Sequence, residues 1–245
     1  IFYGYGGDDL FRSSLGNDTF YAGDGNDRFE NFTGSGTVKF YGEGGDDTFS
    51  SASFSLPAGS IIDGGAGNNT LFASDSIIGT TILNIQALKI SNFGLSLTAD
   101  QFAQLSNGTV WQGYTSQRDI SVRGFSAGTY DLRNIVHTSR IVFLSGFIGN
   151  NTLIGDADAQ TISGNNGDDV LDGQGGDDTI NGYDGNDTII GGGGADTMRG
   201  WAGDDVFQVN DGDVVAGEII NGDSGDNTLQ AGFAELHLAT ISNIQ

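Results

Sequence analysis

The chain has 245 residues, with 42 glycines, one proline, no cysteine and a formal net charge of −23. That balance excludes a disulfide framework and a thiolate metal site, and it argues against nucleic acid or an anionic membrane surface as partner, since both demand a basic footprint. The acid is nearly all aspartate, with glutamate only at Glu30, Glu43, Glu218 and Glu235, so the charge sits on short side chains near the backbone and divalent cations are its natural counterions.

The N-terminal stretch is built of nine-residue units: GYGGDDLFR from Gly4, SSLGNDTFY from Ser13 and AGDGNDRFE from Ala22. Their sixth places are Asp9, Asp18 and Asp27. The next unit, read from Asn31, has Gly36 where aspartate is expected, and eleven residues separate its start from Gly42. A ladder of aspartates should weaken there. GEGGDDTFS restores the phase with Asp47, and GGAGNNTLF from Gly64 keeps the turn but places Asn69 sixth, which reads as a cap.

Residues Ala87 to Ser145 lose the nonamer and most of the acid. Runs at Ala87 to Ile90, Ile120 to Arg123 and Ile141 to Leu144 predict irregular solenoid coils closed by apolar packing. Thr98-Ala-Asp-Gln101 fits a capping box, with Phe102, Ala103 and Leu105 completing a two-turn helix over 98–105. Arg118, Arg123, Arg133 and Arg140 form the one basic neighbourhood, read as scattered solvated positions or as a patch for an anionic polysaccharide. Gly124-Phe-Ser126-Ala-Gly128 matches a nucleophile elbow, which needs a helix after it, whereas Thr129 to Arg133 reads as a strand. His137 and His237 have no metal-ligand spacing around them. No apolar run approaches a membrane span.

From Gly146 the phase resumes before the acid does, with Asn151 and Gln160 at the sixth place. Five units then follow without insertion: GNNGDDVLD, GQGGDDTIN, GYDGNDTII, GGGGADTMR and GWAGDDVFQ, from Gly164 to Gln208. The first and fourth places are always glycine, the eighth is large and apolar, and the sixth is Asp169, Asp178, Asp187, Asp196 and Asp205. Glycines at two places permit turns with φ > 0, and an apolar residue between polar neighbours is a very short strand. Two nonamers thus make one 18-residue rung of a parallel solenoid whose rungs lie about 4.8 Å apart. Stacked aspartates would repel by roughly 1 kcal/mol per pair in water and about 3 at an effective dielectric of 20. Hard oxygen ligands, partly backbone carbonyls, point to Ca²⁺ as the ion between them. After Gln208, Asp211 or Asp213 is expected to close the last site. A second cap, IINGDSGDNTL from Ile219, echoes IIDGGAGNNTL from Ile61, and Asn243-Ile-Gln245 echoes Asn84-Ile-Gln86.

These units resemble the G-G-x-G-x-D-x-U-x nonapeptides of RTX, or haemolysin-type, calcium-binding proteins. The resemblance implies an all-β fold, a parallel β-roll or β-solenoid, here with an irregular solenoid connector: a first calcium block over 1–86, the connector over 87–145 and a second block over 146–245. It also implies the ligands. One site takes the sixth-place aspartate with the carbonyls at places two and four of a turn, and the aspartate with the carbonyls at places one and three two repeats later. That joins Asp169, Asn165 and Gly167 to Asp187, Gly182 and Asp184. It joins Asp178, Gln174 and Gly176 to Asp196, Gly191 and Gly193. Asp187, Tyr183 and Gly185 share an ion with Asp205, Gly200 and Ala202, and Asp9, Tyr5 and Gly7 with Asp27, Ala22 and Asp24. Asp18 and Asp47 are further candidate ligands. The expected protein is secreted by the type I route, non-enzymatic, and a segment of a bacterial S-layer protein or adhesin that folds on extracellular calcium. Other copies of itself or an anionic cell-surface polysaccharide are the expected partners. The offset between the echoes suggests one and a half copies of a tandem module in a longer chain. The alternative is a calcium module of a polysaccharide-modifying enzyme or glycan-binding protein, with its site in the connector.

Overall fold

A computed structural model describes residues 1–13, 16–30, 36–50, 56–106, 108–113, 120–124, 126–137, 141–146, 148–210, 216–232 and 240–244. The chain divides into two compact units, residues 1–121 with 135–140 and residues 122–134 with 141–245. Where the nonamer runs, the chain alternates between two parallel sheets, adding one short strand to either sheet in turn.

In the first unit, Phe2–Tyr3, Asp18–Asp24, Val38–Gly44, Ile61–Asp63 and Thr81–Leu83 pair in that order. The other sheet takes Leu10–Arg12, Arg28–Glu30, Thr48–Ser50, Thr70–Ser76 and Ala87–Leu97, and Val110–Gly113 and Val136–His137 continue from its last strand. Because side chains alternate across a strand, each sheet sends one apolar row inward. Phe2, Phe20, Phe40, Ile62 and Ile82 form one row; Phe11, Phe29, Phe49, Leu71 and Leu88 form the facing one. Rings stack along each row, as at Phe29 and Phe49 with centroids 4.8 Å apart, and meet edge to face across the core, as at Phe11 and Phe20 at 5.6 Å.

One expected phase is corrected. Asp18 pairs with Val38, and a Cβ on Gly36 would run into the carbonyl of Gly16. Gly36 is therefore a fourth-place glycine and Val38 holds the sixth place. The two extra residues fall before Gly36, and both sheets absorb them without losing the inward row.

The helix runs Ala99–Ser106. The Gln101 amide N–H donates to Thr98 Oγ1 at 3.3 Å and the Thr98 amide N–H to Gln101 Oε1 at 3.0 Å, the reciprocal capping pair. Gln101 Nε2 also donates to the carbonyls of Ile77 and Thr80. Phe102 and the fully buried Trp111 meet at 5.6 Å, so an apolar side chain closes this region where the nonamer is absent.

In the second unit, Ile141–Ser145, Thr161–Asn166, Thr179–Asp184, Thr197–Ala202, Ile219–Asn221 and Thr240–Ser242 form one sheet. Gly128–Asp131, Asn151–Ile154, Val170–Asp172, Thr188–Ile190, Val206–Val209 and Thr228–Ala231 form the other. Ile162, Ile180, Met198 and Ile220 make one inward row and Leu153, Leu171, Ile189 and Phe207 the other, all with no exposed surface. The eighth-place residues of the nonamers are this core. Among the described residues no helix is long and apolar enough to cross a membrane.

Candidate metal centre

The turns between sheets carry the acid. Their left-handed residues are at the second and fourth places, which corrects the expectation that the first-place glycines serve that purpose. Tyr5, Glu43, Asn165, Gln174, Tyr183, Trp201 and Asp223 have φ between 58° and 79°, and Gly167, Gly185 and Gly203 have φ of 123°, 134° and 135°. The second place holds this conformation even without glycine, at a strain of about 1–3 kcal/mol each. The first-place glycines are needed for space. A Cβ on Gly164 would press on Asp169 Oδ2 and lie 2.9 Å from the carbonyl of Gly182; one on Gly182 would press on Asp187 Oδ2 and lie 2.8 Å from the carbonyl of Gly200. Each such glycine keeps open a small cradle lined by a carboxylate oxygen and a carbonyl of the next coil.

Sixth-place side chains bind the coil before them. The amide of Asp169 donates to Asp187 Oδ1 at 2.8 Å, and that of Asp187 to Asp205 Oδ1 at 3.0 Å. On the opposite edge the amide of Asp178 donates to Asp196 Oδ1 at 2.8 Å. In the first unit the amide of Asp9 donates to Asp27 Oδ1 at 2.7 Å, and that of Asp27 to Asp47 Oδ1 at 2.9 Å, so this ladder survives the insertion. Amides end the ladders of Asp47 and Asp205. Asn69 and Asn227 accept from Asp47 and Asp205 through Oδ1 and donate through Nδ2 to the carbonyls of Asn84 and Asn243. At the N-terminal ends of the second unit's two ladders, the backbone amides of Asn151 and Gln160 donate to Asp169 and Asp178.

With Oδ1 engaged, Oδ2 of Asp27, Asp47, Asp169, Asp178, Asp187 and Asp205 is buried without a hydrogen-bond donor, and so is Oδ2 of Asp9, the first of its ladder. Burial, reinforced by neighbouring carboxylates, pushes the Asp178 carboxyl up to about 8, Asp187 to about 7 and Asp47 to about 6. Asp27, Asp169 and Asp205 are raised as well, with burial the leading cause. An ionised oxygen held this way is unfavourable unless a cation meets it. Among the described residues no three acidic or imidazole side chains converge on one point, so each cradle combines carboxylate with backbone oxygen. That donor set, all hard oxygen, fits a calcium ion.

The expected backbone ligands lie along the same turns. The carbonyls of Gly182, Gly191, Gly200 and Ala22 face the cradles of Asp169, Asp178, Asp187 and Asp9. Those of Asp24, Asp184 and Ala202 each accept one amide N–H, from Gly7, Gly167 and Gly185, and those of Tyr5 and Gln174 accept from Asp24 and Gly193, which leaves a second lone pair on each. The carbonyls of Gly167, Gly176 and Gly185 lie against Gly185, Gly194 and Gly203 of the next coil. Asp18 is not brought to a second carboxylate, because Val38 is its neighbour and Ser60 follows, Ser60 Oγ accepting from the Val38 amide. That edge of the first unit is not an acidic ladder. Asp211, Asp213, Arg118, Arg140 and His237 lie outside the described residues.

Two groups were missed. Glu218, buried, accepts from the amide of Asp196 through Oε2 at 3.1 Å and takes the sixth place across a four-residue insertion, its longer side chain making up the reach. The fifth place also forms a ladder, running the other way: the amide of Asn186 donates to Asp168 Oδ1, that of Asp204 to Asn186 Oδ1 and that of Asp226 to Asp204 Oδ1, at 2.8–2.9 Å. Asp or Asn at nearly every fifth place was the signal for it.

A search of curated proteins returned no match. The family model described as "RTX calcium-binding nonapeptide repeat (4 copies)" matches residues 3–30, 32–54, 60–77, 145–180, 172–207 and 216–233. These segments make up more than half of the chain and contain every aspartate of the ladders, so the chain belongs to the RTX calcium-binding nonapeptide repeat family.

Proposed function

We propose that this β-roll is a structural module of a secreted bacterial cell-surface protein, of the S-layer or adhesin kind, with no catalytic role, that becomes rigid on meeting extracellular calcium. The rows of buried carboxylate oxygens without donors carry the reading. On this reading Asp169 and Asp187 hold one ion with the carbonyls of Asn165, Gly167, Gly182 and Asp184. Asp178 and Asp196 hold another with Gln174, Gly176, Gly191 and Gly193, Asp187 and Asp205 a third with Tyr183, Gly185, Gly200 and Ala202, and Asp9 and Asp27 a fourth with Tyr5, Gly7, Ala22 and Asp24. Asp27 and Asp47 extend the last row. Bound calcium supplies positive charge between like charges. The chain's own part is to aim one oxygen of each carboxylate into the cradle while, past the first of each row, the other pins the neighbouring coil. Without metal, repulsion and glycine entropy favour an open chain, compatible with export before folding; with metal, binding free energy adds to folding free energy.

The absence of a catalytic role is supported at Ser126, which is followed by the strand Gly128–Asp131 and whose carbonyl accepts from the Tyr130 hydroxyl. Of the arginines, Arg133 is held by Asp131 at 2.7 Å. A calcium titration followed by circular dichroism tests the proposal. The β signal should rise with a midpoint on the order of 10⁻⁴–10⁻³ M, the range of extracellular calcium modules. A midpoint below micromolar would mean that the chain folds before export, and would contradict the reading.

A further inference from the structure

In the second unit two coils of the ladders have an amide at the sixth place and an aspartate at the second. Gln160 shares its coil with Asp156, and Asn227 shares its coil with Asp223. The coils between them carry the sixth-place acid and have Asn165, Gln174, Tyr183, Gly192 and Trp201 at the second place, all uncharged. The carboxylate has moved from one side of the turn to the other. We propose that Asp223 is a side-chain metal ligand outside the repeat's sixth place, completing with Asp205 a calcium site between the last aspartate coil and the cap. The proposal rests on the calcium reading above.

Asp223 has φ of 58°, so its backbone follows the second-place pattern. Its Oδ1 accepts from Asn221 Nδ2 at 2.6 Å, which orients the carboxylate. Its Oδ2 is buried and meets no donor. Asp205, fully buried, aims its own donorless Oδ2 into the cradle kept open by Gly200, where the carbonyl of Gly222 lies 2.9 Å from the position of a Cβ. The charge of Asp223 is felt at Asp205. Asp223 directly follows Gly222, whose carbonyl lines that cradle, and a cation is the species that would satisfy both donorless oxygens. The first cap is the internal contrast. There Gly65 holds the second place, and the acid is Asp63, whose Oδ1 is taken by Asn84 Nδ2 and the Gly65 amide. Glu43 is acidic at a second place too, but it shares its coil with Asp47 and its side chain is exposed.

The test counts calcium ions bound by the 245-residue chain in equilibrium dialysis with calcium alone, with circular dichroism at saturation as a check on the fold. Asp223→Asn should bind one ion fewer than the parent with the β signal intact, and the double variant Asp223→Asn with Asn227→Asp, which returns the carboxylate to the sixth place, should regain it. An unchanged count in Asp223→Asn overturns the proposal. So does a loss of several ions or of the β signal, or a loss that the double variant does not reverse, because each makes Asp223 a structural part of the cap. A parent chain that binds no calcium would sink the calcium reading itself, whereas a calcium-binding parent with an unaffected variant sinks only this inference.

Discussion

At the scale of single residues, the two invariant glycines of the nonamer answer different demands. The fourth supplies a left-handed backbone, and the first leaves room beside a carboxylate. Gly182→Ala should therefore act on the metal site: its Cβ enters the cradle of Asp187, and overpacking of this kind destabilises by about 1–3 kcal/mol. Calcium-dependent melting should show that shift, and Glu43→Gly, which relieves a left-handed residue with φ of 68°, should not lower the melting point. The raised carboxyls set the pH response of the metal-free chain. Their folded values lie above an unfolded value of about 3.9, so the folded state binds more protons and its stability falls as pH rises. The fall begins near the unfolded value and ends above the value of about 8 at Asp178, at about 1.4 kcal/mol per pH unit for each group titrating. In calcium-free buffer the β signal should be larger at pH 4 than at pH 8; the opposite order would contradict the assigned burial.

At the scale of elements, strands of at most a few residues on most coils are too short to persist alone, and they are held by rows that run across coils. The apolar row was legible from the eighth place and the carboxylate row from the sixth, since both recur on a fixed period. The fifth-place row was equally periodic, yet Asp and Asn are ordinary turn residues, and only the structure shows Asn186 joining the coils of Asp168 and Asp204. Asn186→Ala should destabilise the calcium-loaded chain by about 1 kcal/mol in denaturant titration, while Asn186→Asp, which keeps the acceptor, should not. The insertion before Gly36 hides the phase from a count forward from Asn31, which ignores the apolar row; Phe40 stacked on Phe20 at 5.1 Å fixes the register. Glu218 escaped for a related reason. A longer side chain across a longer loop has no period to betray it.

At the scale of the molecule, the two units use the same turn unequally. Among the described residues the first has one acidic ladder, through Asp9, Asp27 and Asp47, and its other edge passes from Asp18 to Val38 and Ser60 beneath stacked phenylalanines. The second has an acidic ladder on both edges. Its core rows are aliphatic except for Tyr130, Met198 and Phe207, and its second acidic ladder leaves more of its stability to the metal. The connector was the least legible part, because apolar packing around Trp111 and the helix replaces the repeat there and leaves no clock to count. The central claim is that calcium sits where buried carboxylate oxygens meet no donor. Crystals grown with calcium and an anomalous difference map test it most directly. The account predicts a separate peak about 2.4 Å from Oδ2 of each of Asp169, Asp187 and Asp9, beside the carbonyls of Gly182, Gly200 and Ala22 respectively. Cradles holding only water, or carboxyls closed on one another by a shared proton, would contradict it.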